Sequence, residues 1–322
     1  MPTVSTPLKP RVRPGALSST EESILRAAAD LPVFCAEDMT RLLSEKGSQG
    51  SHYRALLKSL SVGTPGRRTE YLLRLRMPHA PGNVRILYTL SRRGAGLLKR
   101  LGVDADFWYR PWKASHRSVS FWQHHHAITR VLVALYAFTR SHPAYQVIEA
   151  RTGFSIARNP PRLTRGADGQ ETSATVIPDV WVNVERSGGS PPVILGFPLW
   201  IEVDCGTETK AMFQQLVLNR INFISSKGYK TYFGTPALLC CYLAVGATVD
   251  YRIARLHTLR TWTAELLAAE RLDDDWASIF RFSTIDECLY DTLMIFSDPA
   301  WYCVDSDTLV PLFMSPEPEE KS

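Results

Sequence analysis

The chain has 322 residues, 45% of them hydrophobic, 21% charged and 10% aromatic, which supplies a sizeable core and excludes a disordered tail or a disulfide-stapled miniprotein. At about 100 to 200 residues per domain, two domains are expected. The net charge of +5 conceals an asymmetry: residues 1–104 hold 17 Lys and Arg against 8 Asp and Glu, while the remaining 218 hold 20 against 24, so one end of the molecule suits a polyanion.

Residues 1–18 are expected to be a disordered basic tail. Ile24, Leu25, Ala28 and Leu31 then mark a helix over residues 20–31, with Ser19 or Thr20 and Glu22 as cap chemistry and Pro32 as its end. A short helix over 36–43 and a third over 51–60 follow; the third turns Leu56, Leu57 and Leu60 inward and leaves His52, Arg54 and Lys58 outside. After a Gly/Pro loop carrying Arg67 and Arg68, residues 71–77 and 84–90 alternate as a hairpin exposing Arg74, Arg76 and Arg85. Ser91 caps a last helix that ends at Gly102. This basic unit occupies residues 19–104. Residues 105–122 form a linker dense in aromatics, including Phe107, Trp108 and Trp112, suited to packing one domain on the next or to stacking single-stranded bases.

The second unit, residues 123–314, opens with a helix over 123–140. Strands are expected over 145–156, which carries Glu149, over 176–185, and in a third run that ends at Asp204. Gly206 breaks the third strand. A long amphipathic helix over 207–226, an apolar strand over 237–245 and a helix over 249–270 follow. The order is αβββαβ: short links join the first three strands as hairpins, and the helical crossover implies parallel pairing at the sheet centre. The fold class is α/β, or α+β over the whole chain. Asp273 to Asp275 read as a solvated loop, and residues 315–322 as a disordered tail.

Six cysteines (Cys35, Cys205, Cys240, Cys241, Cys288, Cys303) show no CxxC pair and no zinc-finger spacing, so reduced core thiols are expected. The longest apolar run, residues 236–249, is too short to span a bilayer, and residues 1–15 contain no apolar signal region. A cytoplasmic protein without membrane contact is the expectation.

On the third strand Glu202 and Asp204 share parity, which places two carboxylates on one face about 7 Å apart. Asp179, on the neighbouring strand, completes a candidate set for a hard divalent cation, Mg²⁺ or Mn²⁺; three unrelated surface acids are the plain alternative. His124, His125 and His126 point about 100° apart on a helix and cannot all face one ion. One could face the carboxylates, while His126 suits a packing role.

Helix, helix, helix, hairpin and helix, with the junction Tyr88-Thr89-Leu90-Ser91-x-x-Gly94, resembles a winged helix-turn-helix, in which the third helix enters the major groove and the wing meets phosphates. Ile177-Pro178-Asp179 followed by Glu202-Val203-Asp204 looks like the PD-(D/E)xK nuclease-like fold, whose two acids bind the catalytic metal. Asp204 stands where that motif has lysine, which removes the cation that stabilises the attacking group. Lys210, one turn before Gln214, is the candidate substitute. The whole arrangement, with Glu202-Val203-Asp204-Cys205-Gly206-Thr207-Glu208 as its most specific stretch, resembles the replication-relaxation family of plasmids and mobile elements over about residues 20–270.

The resemblance implies a DNA-binding accessory protein in plasmid replication, relaxation or mobilisation, with a degenerate nuclease-like domain and double-stranded DNA and a relaxase or replication initiator as partners. Its DNA contacts would be His52, Arg54, Lys58, Arg67, Arg68, Arg74, Arg76 and Arg85. Two alternatives stay open. In one, a metal-dependent endonuclease uses Asp179, Glu202 and Asp204 for Mg²⁺ and Lys210 for the nucleophile, with Glu149 at the periphery. In the other, a winged-helix transcription regulator dimerises through the second domain.

Overall fold

Ser18 starts the first helix, α1 (Ser19–Asp30): its Oγ accepts from the Glu21 amide at 3.2 Å, and Glu21 accepts in return from the Ser18 amide at 2.9 Å. The capping box therefore sits one residue earlier than the sequence pattern suggests. The computed structural model describes residues 17–44, 50–62, 70–80, 83–103, 105, 118–163, 174–188, 193–285 and 294–313. Arg67, Arg68, Cys288, most of the aromatic linker and nearly all of both expected tails lie outside them.

Helices α2 (Ala36–Leu43) and α3 (Gly50–Val62) precede an antiparallel hairpin, β1 (Leu72–Ala80) and β2 (Asn83–Leu90), and α4 (Arg92–Arg100). In the hairpin Arg74 pairs with Tyr88 and Arg76 with Ile86, and Phe34 adds a bridge to Tyr88 through two backbone hydrogen bonds of 2.9 and 2.7 Å. Ser91 accepts from the Gly94 amide and donates to the Glu70 carbonyl. That fastens α4 to the start of the hairpin.

The remaining elements are α5 (Val119–Ser141), β3 (Tyr145–Thr152), the turn α6 (Gly153–Ile156), β4 (Val180–Gly188), β5 (Val193–Asp204), α7 (Lys210–Ser225), α8 (Gly228–Phe233), β6 (Leu239–Ala244), α9 (Val249–Ala269), the turn α10 (Asp274–Ala277), β7 (Phe280–Thr284), the turn α11 (Met294–Ser297), β8 (Trp301–Tyr302) and β9 (Leu309–Val310). They form a mixed α/β unit whose sheet runs β3-β4-β5-β6-β7-β8-β9. Pairing is antiparallel from β3 to β5, parallel from β5 to β7 and antiparallel again to β9. The αβββαβ order stands, with corrections. The first strand stops at Thr152 and coils into α6. The second begins only at Val180, so Asp179 precedes it. Asp273 is the N-cap of α10 rather than plain loop, and β7 to β9 extend the sheet where no strand was expected.

Both faces of the central sheet are covered, which explains why β6 is apolar throughout. Val180, Val182, Ile201, Val203 and Leu243 face α5, and the same core continues into Ile24, Leu25, Met39 and Leu57 of the N-terminal unit. Trp181, Trp200, Tyr242, Phe280 and Phe282 face α7, α8 and α9. Helix α5 is thus shared by both halves: Thr129 Oγ1 donates to the Val33 carbonyl at 2.5 Å, and Arg140 donates to the carbonyls of Arg41 and Leu42. Cys240 and Cys241 are fully buried core thiols, as expected, whereas Cys205 and Cys303 are only partly covered. Among the described residues no helix is long and apolar enough to cross a membrane.

Candidate functional site

Charge is concentrated in two places, a cationic face on the N-terminal unit and an acidic cavity at the end of β5. On α3 the periodicity that buries Tyr53, Leu57 and Leu60 leaves His52, Arg54 and Lys58 exposed. On β1 the two-residue repeat exposes Arg74 and Arg76, while Arg85 on β2 is half-buried. Burial raises the Tyr88 hydroxyl, and the charges of Arg74 and Arg54 act against that rise. The third helix and the hairpin each present exposed cations. Arg54 lies 3.2 Å from Glu37 with both side chains largely exposed, a pair too well solvated to hold it firmly. Helix α4 adds exposed Arg92, Arg93, Lys99 and Arg100, which are not among the expected DNA contacts.

The cavity, about 330 Å³, is walled by the start of α5 (Ser118, Ser120, Phe121, His124), Asp179, the end of β5 from Glu202 to Cys205, Thr207, Glu208, α7 (Phe213, Leu216, Arg220) and Tyr242. The structure thus brings Asp179, Glu202 and Asp204 to one cavity. Lys210 is not part of that wall: it pairs with Glu265 on α9 at 2.6 Å, both half-exposed. Gln214 donates to the Trp262 carbonyl. Glu149 accepts from Arg151 Nε at 2.6 Å and stands apart from the cavity.

Each acid has its own environment. Asp179 Oδ2 accepts from the Val203 amide at 2.8 Å; burial, then the neighbouring Glu202, pushes its carboxyl well above the usual range. Glu202 accepts from Trp200 Nε1 at 2.5 Å and from Arg220. Arg220 is buried, packs against the rings of Trp200 and Tyr242 at 5.8 and 5.5 Å, and stays charged because the Glu202 carboxylate outweighs its desolvation. Asp204 accepts two hydrogen bonds from Arg255 and one from the Gly206 amide at 2.7 Å. Burial, then Asp204 and Glu202, raises Glu208. His124 Nε2 comes within 3.0 Å of Asp179 Oδ2 without hydrogen-bond alignment, and burial lowers its pKa.

These pairings bear on the Mg²⁺ or Mn²⁺ set. Among the described residues the ligand atoms of Asp179, Glu202 and Asp204 do not all lie within 4.8 Å of one another; Cys35, Asp38 and His126 are the one trio of His, Cys, Asp or Glu that meets this spacing. Arg255 holds Asp204 and Arg220 holds Glu202, so the three carboxylates do not fit a common hard cation in this arrangement. Sequence reasoning left Glu208, Arg220 and Arg255 without a role. Arg220 did leave a signal: it falls on the same face of α7 as Phe213, Val217 and Ile221, where a lone charge needs a partner. Arg255, on a helix of mixed polarity, left none.

Comparison with models of known protein families, with curated proteins and with solved structures finds no match to this chain.

Proposed function

We propose that the chain is a double-stranded-DNA-binding accessory protein of the replication-relaxation kind, acting in plasmid replication, relaxation or mobilisation beside a relaxase or initiator. In this reading residues 19–104 are a winged helix-turn-helix and the second unit is a nuclease-like domain that does not cut. The observation that carries it is the exposure of Arg54 on α3 and of Arg74 and Arg76 on β1, Arg74 lying opposite Tyr88 in the hairpin; cations on a helix and a neighbouring hairpin suit a helix in the major groove with a basic wing on the flanking phosphates. The engagement of Asp204, Glu202 and Lys210 in internal ion pairs supports a non-cutting second domain, because none of the three is left to organise a metal and its nucleophile.

Duplex binding followed by fluorescence anisotropy tests the reading. Replacing both Arg74 and Arg76 by Ala weakens binding and lowers the slope of log K against log salt by up to about two phosphate contacts. Unchanged affinity and slope would remove the wing from the interface. Supercoiled plasmid incubated with the protein and Mg²⁺ or Mn²⁺ stays supercoiled; nicking that disappears in Glu202→Ala would replace this reading by a metal-dependent endonuclease.

A further inference from the structure

Where the two halves of the chain meet, a thiol sulfur, a carboxylate oxygen and an imidazole nitrogen from Cys35, Asp38 and His126 lie within 4.8 Å of one another, at 5, 0 and 4% exposure. Cys35 is the N-cap of α2, Asp38 lies in its first turn, and His126 comes from α5, 88 positions after Asp38. His126 Nε2 is 3.0 Å from Asp38 Oδ2, which also accepts from the Cys35 amide at 2.7 Å. The seam is braced on either side by Thr129 on Val33 and Arg140 on Arg41 and Leu42, so the three groups are held by two packed elements.

Zinc ligands at about 2.0–2.3 Å in tetrahedral array stand about 3.3–3.8 Å apart. The observed spacing reaches that geometry with shifts on the order of 1 Å. Residue choice points the same way. An N-cap favours Ser, Thr, Asp or Asn, and sulfur is a weak acceptor there; a soft ligand is what Cys35 offers instead. Thiolate, imidazole and carboxylate together select a zinc-class ion over Mg²⁺ or Ca²⁺.

We propose that Cys35, Asp38 and His126 form a three-ligand site for a zinc-class transition-metal ion, which clasps the N-terminal unit to α5. Binding replaces the thiol proton, released to solvent, by a sulfur–metal bond, and replaces the His126–Asp38 hydrogen bond by a bond from the neutral imidazole to the ion. The site is separate from the acidic cavity and independent of the DNA-binding reading.

The test uses the full chain, freed of metal with a chelator and titrated with Co²⁺ as the spectroscopic probe. One equivalent of Co²⁺ gives a near-ultraviolet thiolate-to-cobalt band and visible bands of tetrahedral intensity, all displaced by Zn²⁺, and excess Zn²⁺ raises Tm by about 5 °C. Cys35→Ser, whose fold is checked by circular dichroism, loses the near-ultraviolet band and the Tm shift. A folded wild-type chain that gives no band at micromolar Co²⁺, or a Cys35→Ser protein that keeps it, overturns the proposal. Should the variant not fold, X-ray absorption of the zinc-loaded wild type decides: one sulfur at about 2.3 Å beside nitrogen and oxygen at about 2.0 Å supports the site, and a shell without sulfur overturns it.

Discussion

Arg255 grips Asp204 through two parallel hydrogen bonds, Nε to Oδ1 at 2.7 Å and Nη2 to Oδ2 at 2.8 Å, while the same guanidinium donates to the Glu208 carbonyl at 3.1 Å. The fork geometry of arginine matches a carboxylate on both oxygens. It ties the end of β5 and the start of the following loop to α9, and it commits the Asp204 carboxylate to an internal pair.

Removing Arg255 exposes the cost of that arrangement. Asp204 has 5% of its side chain accessible, so Arg255→Ala leaves a buried carboxylate without its partner and lowers stability by about 3 to 5 kcal/mol. Asp204→Asn, which leaves no buried anion, loses less. Urea unfolding of both variants measures the difference; equal losses would mean that the carboxylate charge is not the issue.

The acidic cavity imposes a pH dependence of definite sign. Burial, and next to it the charge of Glu202, raises the Asp179 carboxyl well above its ordinary value of 3.8. The native state therefore keeps a proton that the unfolded chain releases, so this contribution to stability is full below about pH 3.8 and is lost as pH rises through the raised value. Asp179→Asn keeps an oxygen for the Val203 amide and removes the titration. Thermal melts should show the variant gaining on the wild type as pH rises above about 4; a constant offset with rising pH would contradict the raised value.

Gly94 is required by space rather than by backbone angle. A Cβ there would lie 2.2 Å from the Tyr71 carbonyl oxygen and 2.7 Å from Leu90 Cδ1, so Gly94→Ala pushes α4 off the hairpin at a cost of about 1 to 3 kcal/mol. Gly96, two residues on in the same helix, has nothing within 4 Å of the same position, and Gly96→Ala is expected to stabilise by up to about 1 kcal/mol through helix propensity. Chemical denaturation of the pair separates crowding from a general intolerance of alanine in α4.

What the sequence determined by itself was what depends on near neighbours along the chain. The 3.6-residue repeat of Ile24, Leu25 and Ala28, the alternation around Arg74 and Arg76, and the shared parity of Glu202 and Asp204 each follow from one element's geometry, and all are found in the fold within a few residues. The order of the longer elements through α9 was legible for the same reason, while the short helices α6 and α8 were not. The two-residue strands β8 and β9 and the five-residue β7 carry too little pattern to be read. Only the tertiary structure decided which charges meet: Arg255 reaches Asp204 across 51 positions, Arg220 reaches Glu202 across 18, Lys210 turns to Glu265, and Asp38 finds His126 across 88. A buried ionic group takes whichever partner helix packing brings within hydrogen-bond reach, because its desolvation must be offset; that choice depends on how α2, α5, α7 and α9 pack against one another and on the sheet, which no local pattern encodes.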